Sequence, residues 1–586
     1  MTDIASLVSD NLDIWTAAIE RKSSAGRGSG RKLSLYGIER LRALILDLAV
    51  HGKLVPQDPE DAPASELLPG MAAERQRRIK AGEIKNAKGP AKPNGEPFEL
   101  PSGWLWLPLW QTGNIVTGNS INAALRSELE ANGEGWPFVA TKDVGYGFEP
   151  IDYDNGLTVR FDDQRFNIAR ANSVFICAEG GSAGRKMAVS DREIAFGNKL
   201  IANEPWPQIE SRYILYTYLS DFFFECFSRE MTGIIGGISR AKFLALPFPL
   251  PPYAEQQRIV TKVDELMTLC EALEAQSAAA LDAHQKLVEA LLATLVDSAD
   301  ANDLATNWSR LEVHFDTLFT TEVSVQSLKE TVLELAVRGK IVRQNAIDEP
   351  VDTLIKQVSH HQVDRYKKRE IQKPKRTTTE TNPPLILPEN WANVLLGDLC
   401  FVTKLAGFEY TKHIKLEEFG DVPVIRAQNV RPFFIDKKNL KYISSDVSHS
   451  LNRCALDRPA LLITFIGAGI GDVCQFNEDR RWHLAPNVAK AEPFGPTSLD
   501  YLTLYMNSPT GRAELFKHMK STAQPSLSMG TIREVWVALP PLAEQQRIVA
   551  KVGQLLALCD DLKARLATAA ETRKYLADAI VERAAA

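Results

Sequence analysis

The sequence predicts an α+β fold in which two α/β domains are separated by two long antiparallel helices that pack like a coiled coil, with a pseudo-twofold internal repeat. Residues 251–263 (PPYAEQQRIVTKV) and 540–552 (PPLAEQQRIVAKV) are identical at eleven of thirteen positions. Residues 45–55 (ILDLAVHGKLV) and 332–342 (VLELAVRGKIV) share seven identities. Because the two pairs have separations of 289 and 287 residues, they indicate one duplicated unit.

The N-terminal region, assigned to residues 1–95, holds the first shorter repeat and a basic segment. In both copies a glycine follows Leu-Ala-Val and one basic residue, a pattern typical of a helix that ends with a left-handed glycine. The segments 71–95 and 364–376 are interpreted as partly flexible linkers. A solvated charge run is the simpler interpretation, and contact with DNA phosphates is the alternative. Their basic residues are Arg75, Arg77, Arg78, Lys80, Lys85, Lys88 and Lys92, then Arg365, Lys367, Lys368, Arg369, Lys373, Lys375 and Arg376.

Two variable domains are assigned to residues 96–250 and 386–538, and they are alike mainly at their borders. Short β-branched and aromatic runs predict mostly antiparallel sheets with one or two helices near the end. These runs are 137–144, 173–178, 423–430 and 460–466. A glycine-rich turn follows a predicted strand in each domain, at 180–184 and 467–471. It is either a tight hairpin turn or a hairpin that lets the backbone approach DNA.

Long helices are predicted at the start of the central region, residues 251–385, and in the C-terminal region, residues 539–586. Their apolar residues recur at alternating steps of four and three, which places one apolar stripe along each helix. The Pro-Pro pair and the acidic Glu255 or Glu544 in the first turn are typical of a helix start. Two ordinary amphipathic core helices would give the same pattern, but two nearly identical stripes in one chain favour contact between them.

Composition restricts the function classes only weakly. The chain has 586 residues and a net charge of −6, so any DNA-facing surface must come from local clusters of positive charge. The seven cysteines and nine histidines show no metal-ligand spacing, and no metal site is predicted. The polar start carries no signal peptide, and no apolar run of about 18 residues could span a bilayer. We expect a cytoplasmic protein.

Two short strings resemble parts of an enzyme. Asn382-Pro383-Pro384-Leu385 is similar to the catalytic tetrapeptide of adenine-N6 methyltransferases, and residues 467–471 are similar to an S-adenosylmethionine loop. The tetrapeptide lies in a linker instead of after an apolar strand, and the glycine run is followed by a strand pattern instead of a helix. A stand-alone S-adenosylmethionine-dependent adenine-N6 DNA methyltransferase is therefore the alternative hypothesis. A coiled-coil protein that serves only assembly is a third.

The family resemblance is carried by residues 36–42 (YGIERLR), 48–55 with the echo at 335–342, 54–68 (LVPQDPEDAPASELL), and the two copies of the AEQQRIV motif at 250–263 and 539–552. With them the chain resembles the specificity subunits of type I restriction-modification systems. The resemblance implies a non-catalytic, DNA-binding protein whose two target-recognition domains each read half of a split target. It implies two methyltransferase and two restriction subunits as partners. S-adenosylmethionine, ATP and Mg²⁺ would be bound by those partners, and this chain would hold no cofactor.

Base recognition in the major groove requires Arg for guanine and Asn or Gln for adenine, while Lys, Ser and Thr hold phosphates. Asn198 and Asn487 occupy matching places in the two halves, which favours a turn or a phosphate contact for both. The candidate DNA-binding residues are Asn119, Thr141, Lys142, Ser182, Arg185, Asn198, Lys199, Lys404, Lys412, Arg426, Gln428, Asn429, Arg481 and Asn487.

Partner-binding residues are predicted on the outward faces of the two long helices, because identity between the copies extends beyond the apolar stripe. A solvated face is the simpler interpretation. The candidates are Gln256, Gln257, Arg258, Lys262, Gln545, Gln546, Arg547 and Lys551. Rigid helices between two readers would fix the separation of the sequence blocks they read, so the helices are expected to act as a ruler.

Overall fold

The computed structural model describes residues 4–22, 32–86, 89–131, 133–233, 236–299, 301–372, 382–467, 469–517, 519 and 526–585. The chain divides into two compact units. Unit 1 consists of Met1–Ala280 and Ala569–Ala586, and unit 2 of Leu281–Thr568. Each unit therefore contains one variable domain and a part of both long helices.

The elements up to the first long helix alternate helices with short strands. The helices are α1 Ile4–Asp10, α2 Leu12–Ala17, α3 Tyr36–Val50, α4 Leu67–Lys80, α5 Ala123–Ala131, α6 Ser211–Leu219, α7 Asp221–Glu230, α8 Arg240–Leu244 and α9 Tyr253–Val296. The strands are β1 Glu20–Lys22, β2 Lys32–Ser34, β3 Leu105–Pro108, β4 Gly113–Thr117, β5 Trp136–Val139, β6 Thr158–Val159, β7 Ile168–Ala169, β8 Val174–Cys177, β9 Met187–Val189, β10 Ile194–Phe196, β11 Leu200–Pro205 and β12 Pro247–Leu250.

The remaining elements repeat this order with local additions. The helices are α10 Ala301–Glu312, α11 Phe315–Leu318, α12 Glu322–Val337, α13 Val351–Lys367, α14 Leu396–Leu399, α15 Gly407–His413, α16 Ser445–Ser450, α17 Leu499–Asn507, α18 Pro509–Phe516, α19 Met529–Arg533 and α20 Leu542–Ala585. The strands are β13 Ala392–Leu395, β14 Cys400–Lys404, β15 Val422–Ile425, β16 Val430–Arg431, β17 Phe434–Ile435, β18 Lys441–Ile443, β19 Ala455–Leu456, β20 Ala460–Thr464, β21 Val473–Phe476, β22 Trp482–Leu484, β23 Val488–Pro493 and β24 Trp536–Leu539.

The two variable domains have the same sheet topology. In unit 1 the sheets have the strand orders β6-β5-β10-β7 and β4-β11-β8-β9, and in unit 2 the orders are β18-β15-β22-β19 and β14-β23-β20-β21. One parallel pair occurs in each, β5 with β10 and β15 with β22, and the other pairs in these sheets are antiparallel. The prediction of mostly antiparallel sheets is confirmed.

Two predicted strands, 137–144 and 423–430, end earlier than the sequence suggested. The side chain of Asp143 accepts the backbone N–H of Ala140 at 2.9 Å, and Asn429 accepts that of Arg426 at 3.1 Å. Such local side-chain bonds compete with the strand ladder. Each strand therefore turns into a single 3₁₀ turn at the end of the sheet.

The predicted helix stops are confirmed. Gly52 and Gly339 have φ values of +66° and +69°, directly after the ends of α3 and α12. A methyl group added at Gly52 would lie 2.4 Å from Pro101, and one at Gly339 would lie 2.7 Å from Pro388. Two constraints therefore require glycine at each of these positions: the left-handed turn, and the proline that packs closely against it.

The first part of each basic segment is helical, residues 71–80 in α4 and 364–367 in α13, which corrects the interpretation as flexible linkers for those residues. The buried guanidinium of Arg78 on α4 lies 3.1 Å from Glu204, and that of Arg365 on α13 lies 2.7 Å from Glu492. A buried charge needs such a partner, so each helix is attached to the sheet of its own unit. Four basic residues of these segments lie outside the described part of the chain: Lys88, Lys373, Lys375 and Arg376.

In unit 1 the first part of α9 runs antiparallel to the last part of α20. Arg42 on α3 pairs with Glu274 at 2.8 Å, and Arg40 pairs with Asp578 at 2.8 Å. Near the other end of α3, Lys53 donates to the carbonyl of Ala585 at 2.7 Å. Apolar side chains of all three helices share one core.

Unit 2 contains the equivalent arrangement. Lys329 on α12 forms an ion pair with Asp560 on α20, and Lys340 donates to the carbonyl of Val296, at the end of α9, at 2.6 Å. The last part of α9 and the first part of α20 share one core with α12. Within each unit, parts of both long helices therefore pack into one core with the helix of the shorter repeat.

A buried carboxylate lies at the start of each long helix, in the first turn as predicted. Glu255 accepts hydrogen bonds from Gln57 at 2.6 Å and from the Trp104 indole at 2.8 Å. Glu544 accepts from Gln344 at 2.6 Å. Burial raises the pKa of Glu255 above its usual range, although the two donors oppose this shift. We call these contacts the helix-start junctions.

Replacing Glu255 by alanine should lower the free energy of unfolding by about 1–3 kcal/mol, because it leaves the Trp104 and Gln57 donors without their buried acceptor. Urea denaturation measures the effect. Glu265→Ala, an exposed carboxylate on the same helix, is the control and should change stability by less than about 0.5 kcal/mol. Equal effects of the two substitutions would contradict this role of Glu255.

Candidate nucleic-acid interface

In unit 1, several candidate residues gather where strands of both sheets end. Lys186 donates from Nζ to the carbonyl of Thr141 at 3.1 Å, which joins the 3₁₀ turn after β5 to the glycine hairpin. The N–H of Ala178 donates to the carbonyl of Lys199 at 2.8 Å, which joins the end of β8 to the turn before β11. We call this cluster the first loop surface: Thr141, Lys142, Ser182, Arg185, Lys186, Asn198 and Lys199.

The first loop surface is cationic and accessible. Lys142, Arg185, Asn198 and Lys199 are exposed, while Thr141 and Ser182 are half-buried. The Arg185 guanidinium lies over the Phe224 ring at 5.1 Å, which orients the side chain while its donors remain available. Positive charge concentrated on one set of loops is compatible with the negative net charge of the whole chain.

Asn119 has a structural role, and its predicted contact with DNA stays a prediction. Its side-chain oxygen accepts the N–H of Asn167 at 2.8 Å, and its amide donates to the carbonyl of Arg165 at 2.9 Å. The side chain therefore fastens a neighbouring loop to the end of β4. These two bonds use one of the two donor positions and one of the two acceptor positions of the amide.

In unit 2 the equivalent strand ends form a second loop surface, which comprises Lys404, Arg426, Gln428 and Asn487. The N–H of Ala485 donates to the carbonyl of Ile425 at 2.8 Å, and the N–H of Phe465 donates to that of Asn487 at 3.1 Å. Lys404 Nζ lies over the Phe465 ring at 4.6 Å. Gln428 and Asn487 are exposed.

Three other candidates in unit 2 do not belong to this surface. Asn429 is buried and its amide donates to the carbonyls of Asp436 at 2.9 Å and Lys438 at 3.2 Å. Arg481 donates to the hydroxyl of Ser448 and to nearby acceptors. The prediction of DNA contact is wrong for the buried Asn429, whereas for the partly exposed Arg481 it stays a prediction. Lys412 is exposed on α15, and no contact links it to the loop surface.

The two glycine turns are hairpins, as predicted. β8 pairs antiparallel with β9, and β20 with β21. A methyl group at Gly184 would lie 2.7 Å from Phe227, and one at Gly471 would lie 2.3 Å from Phe516. A methyl group at Gly180 would meet nothing within 4 Å. The last glycine of each turn is therefore needed for packing, while the first faces open space that a ligand backbone could enter.

The predicted partner-binding residues divide into buried and exposed sets. Gln256 and Gln545 are buried, and their side-chain oxygens accept the N–H groups of Glu210 at 3.0 Å and Ser498 at 3.1 Å. Their predicted outward position is wrong. Arg258 and Arg547 pair with aspartates of their own units. Gln257, Gln546 and Lys551 are exposed, and Lys262 is partly exposed.

Two sets of exposed apolar residues were not predicted from the sequence. Leu269 and Leu287 on α9 are exposed, as are Leu558 and Leu576 on α20. Each pair of equivalent leucines is 289 positions apart, the separation of the long repeat, so the repeat offset could have found them. The second set consists of aromatic side chains beside the loop surfaces, among them Tyr146 and Phe433, and no repeat offset pairs these two residues.

Neither a metal centre nor a reactive thiol is found among the described residues. No group of three or more His, Cys, Asp or Glu side chains in this part of the chain could hold a metal ion. Burial raises the pKa of the Cys270 thiol to about 11, so at neutral pH it is a protonated, unreactive group. No described helix is both long and apolar enough to cross a membrane.

Comparisons with known proteins agree in pointing to one family. The model for the type I restriction modification DNA specificity domain matches residues 102–283 and 388–572. The chain is 35% identical over 599 residues to the type I restriction enzyme EcoAI specificity subunit of Escherichia coli, with 99% of each chain covered. It is 34% identical over 618 residues to the EcoEI specificity subunit of Escherichia coli, again with 99% of each chain covered.

A solved structure supports the fold. It comes from work on complex assembly and conformational transition of the type I R-M system. The match covers 83% of this chain and 99% of that one, with a TM-score of 0.50 and 16% sequence identity.

Truncation of Asn429 and of its neighbour Gln428 should change the free energy of unfolding by very different amounts. Asn429→Ala should lower the free energy of unfolding by about 1–3 kcal/mol, because it leaves buried backbone groups without partners. Gln428→Ala, at an exposed site, should change it by less than about 0.5 kcal/mol. Urea denaturation of both variants checks the assignment, and a stable Asn429→Ala protein would refute the structural role.

Proposed function

This chain belongs to the specificity subunits of type I restriction-modification systems, and on that premise we propose that it reads a bipartite DNA target, one half-site per variable domain. The supporting observation is the pairing of one repeated framework with two different loop surfaces. The helix starts, the helix stops and the sheet topology repeat, whereas Thr141, Ser182 and Arg185 on one surface have no identical counterparts on the other. A common framework with different side chains at the strand ends suits two readers of unlike sequence.

The exposed side chains supply suitable chemistry for base and backbone recognition. The Gln428 amide can donate to and accept from the N7 and N6 edge of adenine, and the Arg185 guanidinium can donate twice to guanine. Lys142 and Lys199 can neutralise phosphates, which makes affinity depend on salt. The N–H groups of Ala178 and Phe465 donate to the carbonyls of Lys199 and Asn487, so Lys199 is the counterpart of Asn487 and the predicted match of Asn198 with Asn487 is wrong. Asn198 and Asn487 are exposed, and we assign each a phosphate or turn role in its own half-site.

We further propose that the helical framework sets the separation of the two half-sites. Each long helix is one uninterrupted element of 44 residues, so it does not behave as a flexible tether. The bases between the half-sites would then be spanned without being read. A fixed spacing, with little tolerance for added or removed base pairs, is the corresponding property of the target.

We propose that the chain itself is non-catalytic and brings enzymes to the site. Its partners would be two adenine-N6 methyltransferase subunits and two restriction subunits, which would bind S-adenosylmethionine, ATP and Mg²⁺. The repeated exposed leucines, together with Gln257, Gln546 and Lys551, provide two equivalent surfaces for two copies of one partner. Calorimetric titration of the isolated chain with S-adenosylmethionine tests this division of labour, since binding would favour a methyltransferase instead.

Gln428→Ala should relax recognition at one position of the second half-site and leave the first half-site unchanged, because each directly read base pair contributes about 1–3 kcal/mol. Single-molecule mapping of N6-methyladenine in cells that carry the variant system measures both half-sites. The control is Asn477→Ala, an exposed amide at the opposite end of β21, which should leave the motif intact. An unaltered motif in the Gln428 variant would show that this residue does not read a base.

Leu269→Lys and Leu558→Lys should each remove one methyltransferase subunit from the complex, because a charge would be buried at the partner interface. Native mass spectrometry should then show one copy in each single variant and none in the double variant. Val313→Lys, at an exposed valine outside the long helices, should retain two copies. Two bound copies in both single variants would place the partner surface elsewhere.

A further inference from the structure

An exposed aromatic residue projects beside each loop surface, from equivalent turns of the two units. Tyr146 in unit 1 pairs through its backbone with Lys186, and the N–H of Phe433 in unit 2 donates to the carbonyl of Val473 at 3.0 Å. The strand registers and the matching positive φ values make Gly147 the counterpart of Phe433, so the two rings lie one residue apart on these turns. Each turn lies next to the hairpin turn whose first glycine faces open space.

The exposure of these rings is unfavourable in the chain alone. Tyr146 is 53% exposed, Phe433 is 39% exposed and the adjoining Phe434 is 58% exposed. Phe433 also has a φ of +71°, a conformation that glycine adopts far more easily than a bulky side chain. It occupies the second position of the two-residue loop between β16 and β17, directly after Pro432. Strained backbone at an exposed ring is typical of a binding site.

Cations lie near both tips, and each tip also has a carboxylate beside it: the N–H of Tyr146 donates to Glu149 at 3.0 Å, and Asp472 lies near Arg431 and Arg512. Lys186 Nζ lies 5.1 Å from the centroid of the Tyr146 ring, and the same ammonium is fixed by the carbonyl of Thr141. Arg431 precedes the second tip by two residues, and Arg512 donates to the carbonyl of Gly471 at 3.4 Å. An aromatic ring flanked by cations matches a polyanion that carries flat, apolar bases. It matches a protein partner less well, since the repeated apolar surface for such a partner lies on the long helices.

We propose that Tyr146 and Phe433 each stack on a nucleobase of their half-site, at a base step that the ring partly opens. The proposal rests on the proposed function, because it needs each variable domain to hold its own half-site. Stacking on a base is sequence-tolerant, which is compatible with an aromatic ring on this turn in both domains while their other loop residues differ. The local unstacking would occur without the methyltransferase subunits.

The test uses the full chain and a duplex that carries its mapped target, with 2-aminopurine placed at each position of one half-site in turn. The fluorescence of this base analogue rises when its stacking is lost. The wild-type chain should raise fluorescence at one step of each half-site. Tyr146→Leu should abolish the rise in the first half-site only and weaken binding roughly ten- to a hundredfold. Tyr146→Phe should retain it.

Phe433→Gly distinguishes a DNA contact from a role in folding. Glycine relieves the positive φ, so the variant should be at least as resistant to urea as the wild type while it loses the fluorescence rise in the second half-site. The signal from the first half-site is its internal control. Phe419→Leu removes another exposed ring of the same domain and should leave both signals unchanged.

For a chain that binds its target, the absence of a fluorescence rise with the wild type would overturn the proposal. A rise that persists in the Tyr146→Leu and Phe433→Gly variants would overturn it as well. If these variants also bound more weakly, the rings would be assigned to groove contact without stacking. Failure of the wild-type chain to prefer its target over an unrelated duplex would instead refute the proposed function.

Discussion

The buried carboxylate at the start of each long helix is the constraint on which the rest of the structure depends. In unit 1 it brings together three segments that are distant in sequence: Gln57 after the first repeat, Trp104 at the border of the variable domain, and Glu255 on α9. A buried carboxylate is tolerated only if such donors satisfy it. The junction therefore fixes where the domain begins relative to the helix within the unit, and the same Gln–Glu contact recurs at Glu544.

Within each unit, further hydrogen bonds and ion pairs hold the sheets in a fixed position relative to this junction. The hydroxyl of Tyr213 donates to the carbonyl of Pro249 at 3.0 Å, and Tyr501 donates to Ala538 at 2.6 Å in the other unit. A buried Arg–Glu pair joins α4 to the inner strand β11 in unit 1 and α13 to the inner strand β23 in unit 2. Such pairs contribute less to stability than to a unique geometry, because desolvation offsets much of their attraction. The loop surfaces can thus vary in side chains while their positions stay constant.

Local rules made the framework predictable. Proline and an acidic residue mark the start of α9, glycine marks the end of α3, and alternating β-branched runs mark the sheets. The candidate site was predicted less well, because exposure depends on tertiary contacts that no local pattern reveals. Gln256 and Asn429 have the right chemistry for recognition, yet both side chains are buried and hydrogen-bonded to backbone groups of their own unit. Tyr146 and Phe433 differ in identity and lie one residue apart on equivalent turns, so comparison of the two halves of the sequence does not pair them.

The central claim is that one framework carries two independent readers, each confined to its own half-site. The most direct measurement is the methylation target of a chain in which Leu105–Leu250 replaces Ala392–Leu539, mapped by single-molecule detection of N6-methyladenine. The account predicts a bipartite target with the first half-site sequence on both sides and the original spacing. Retention of the original second half-site, or a target with a single half-site, would contradict it.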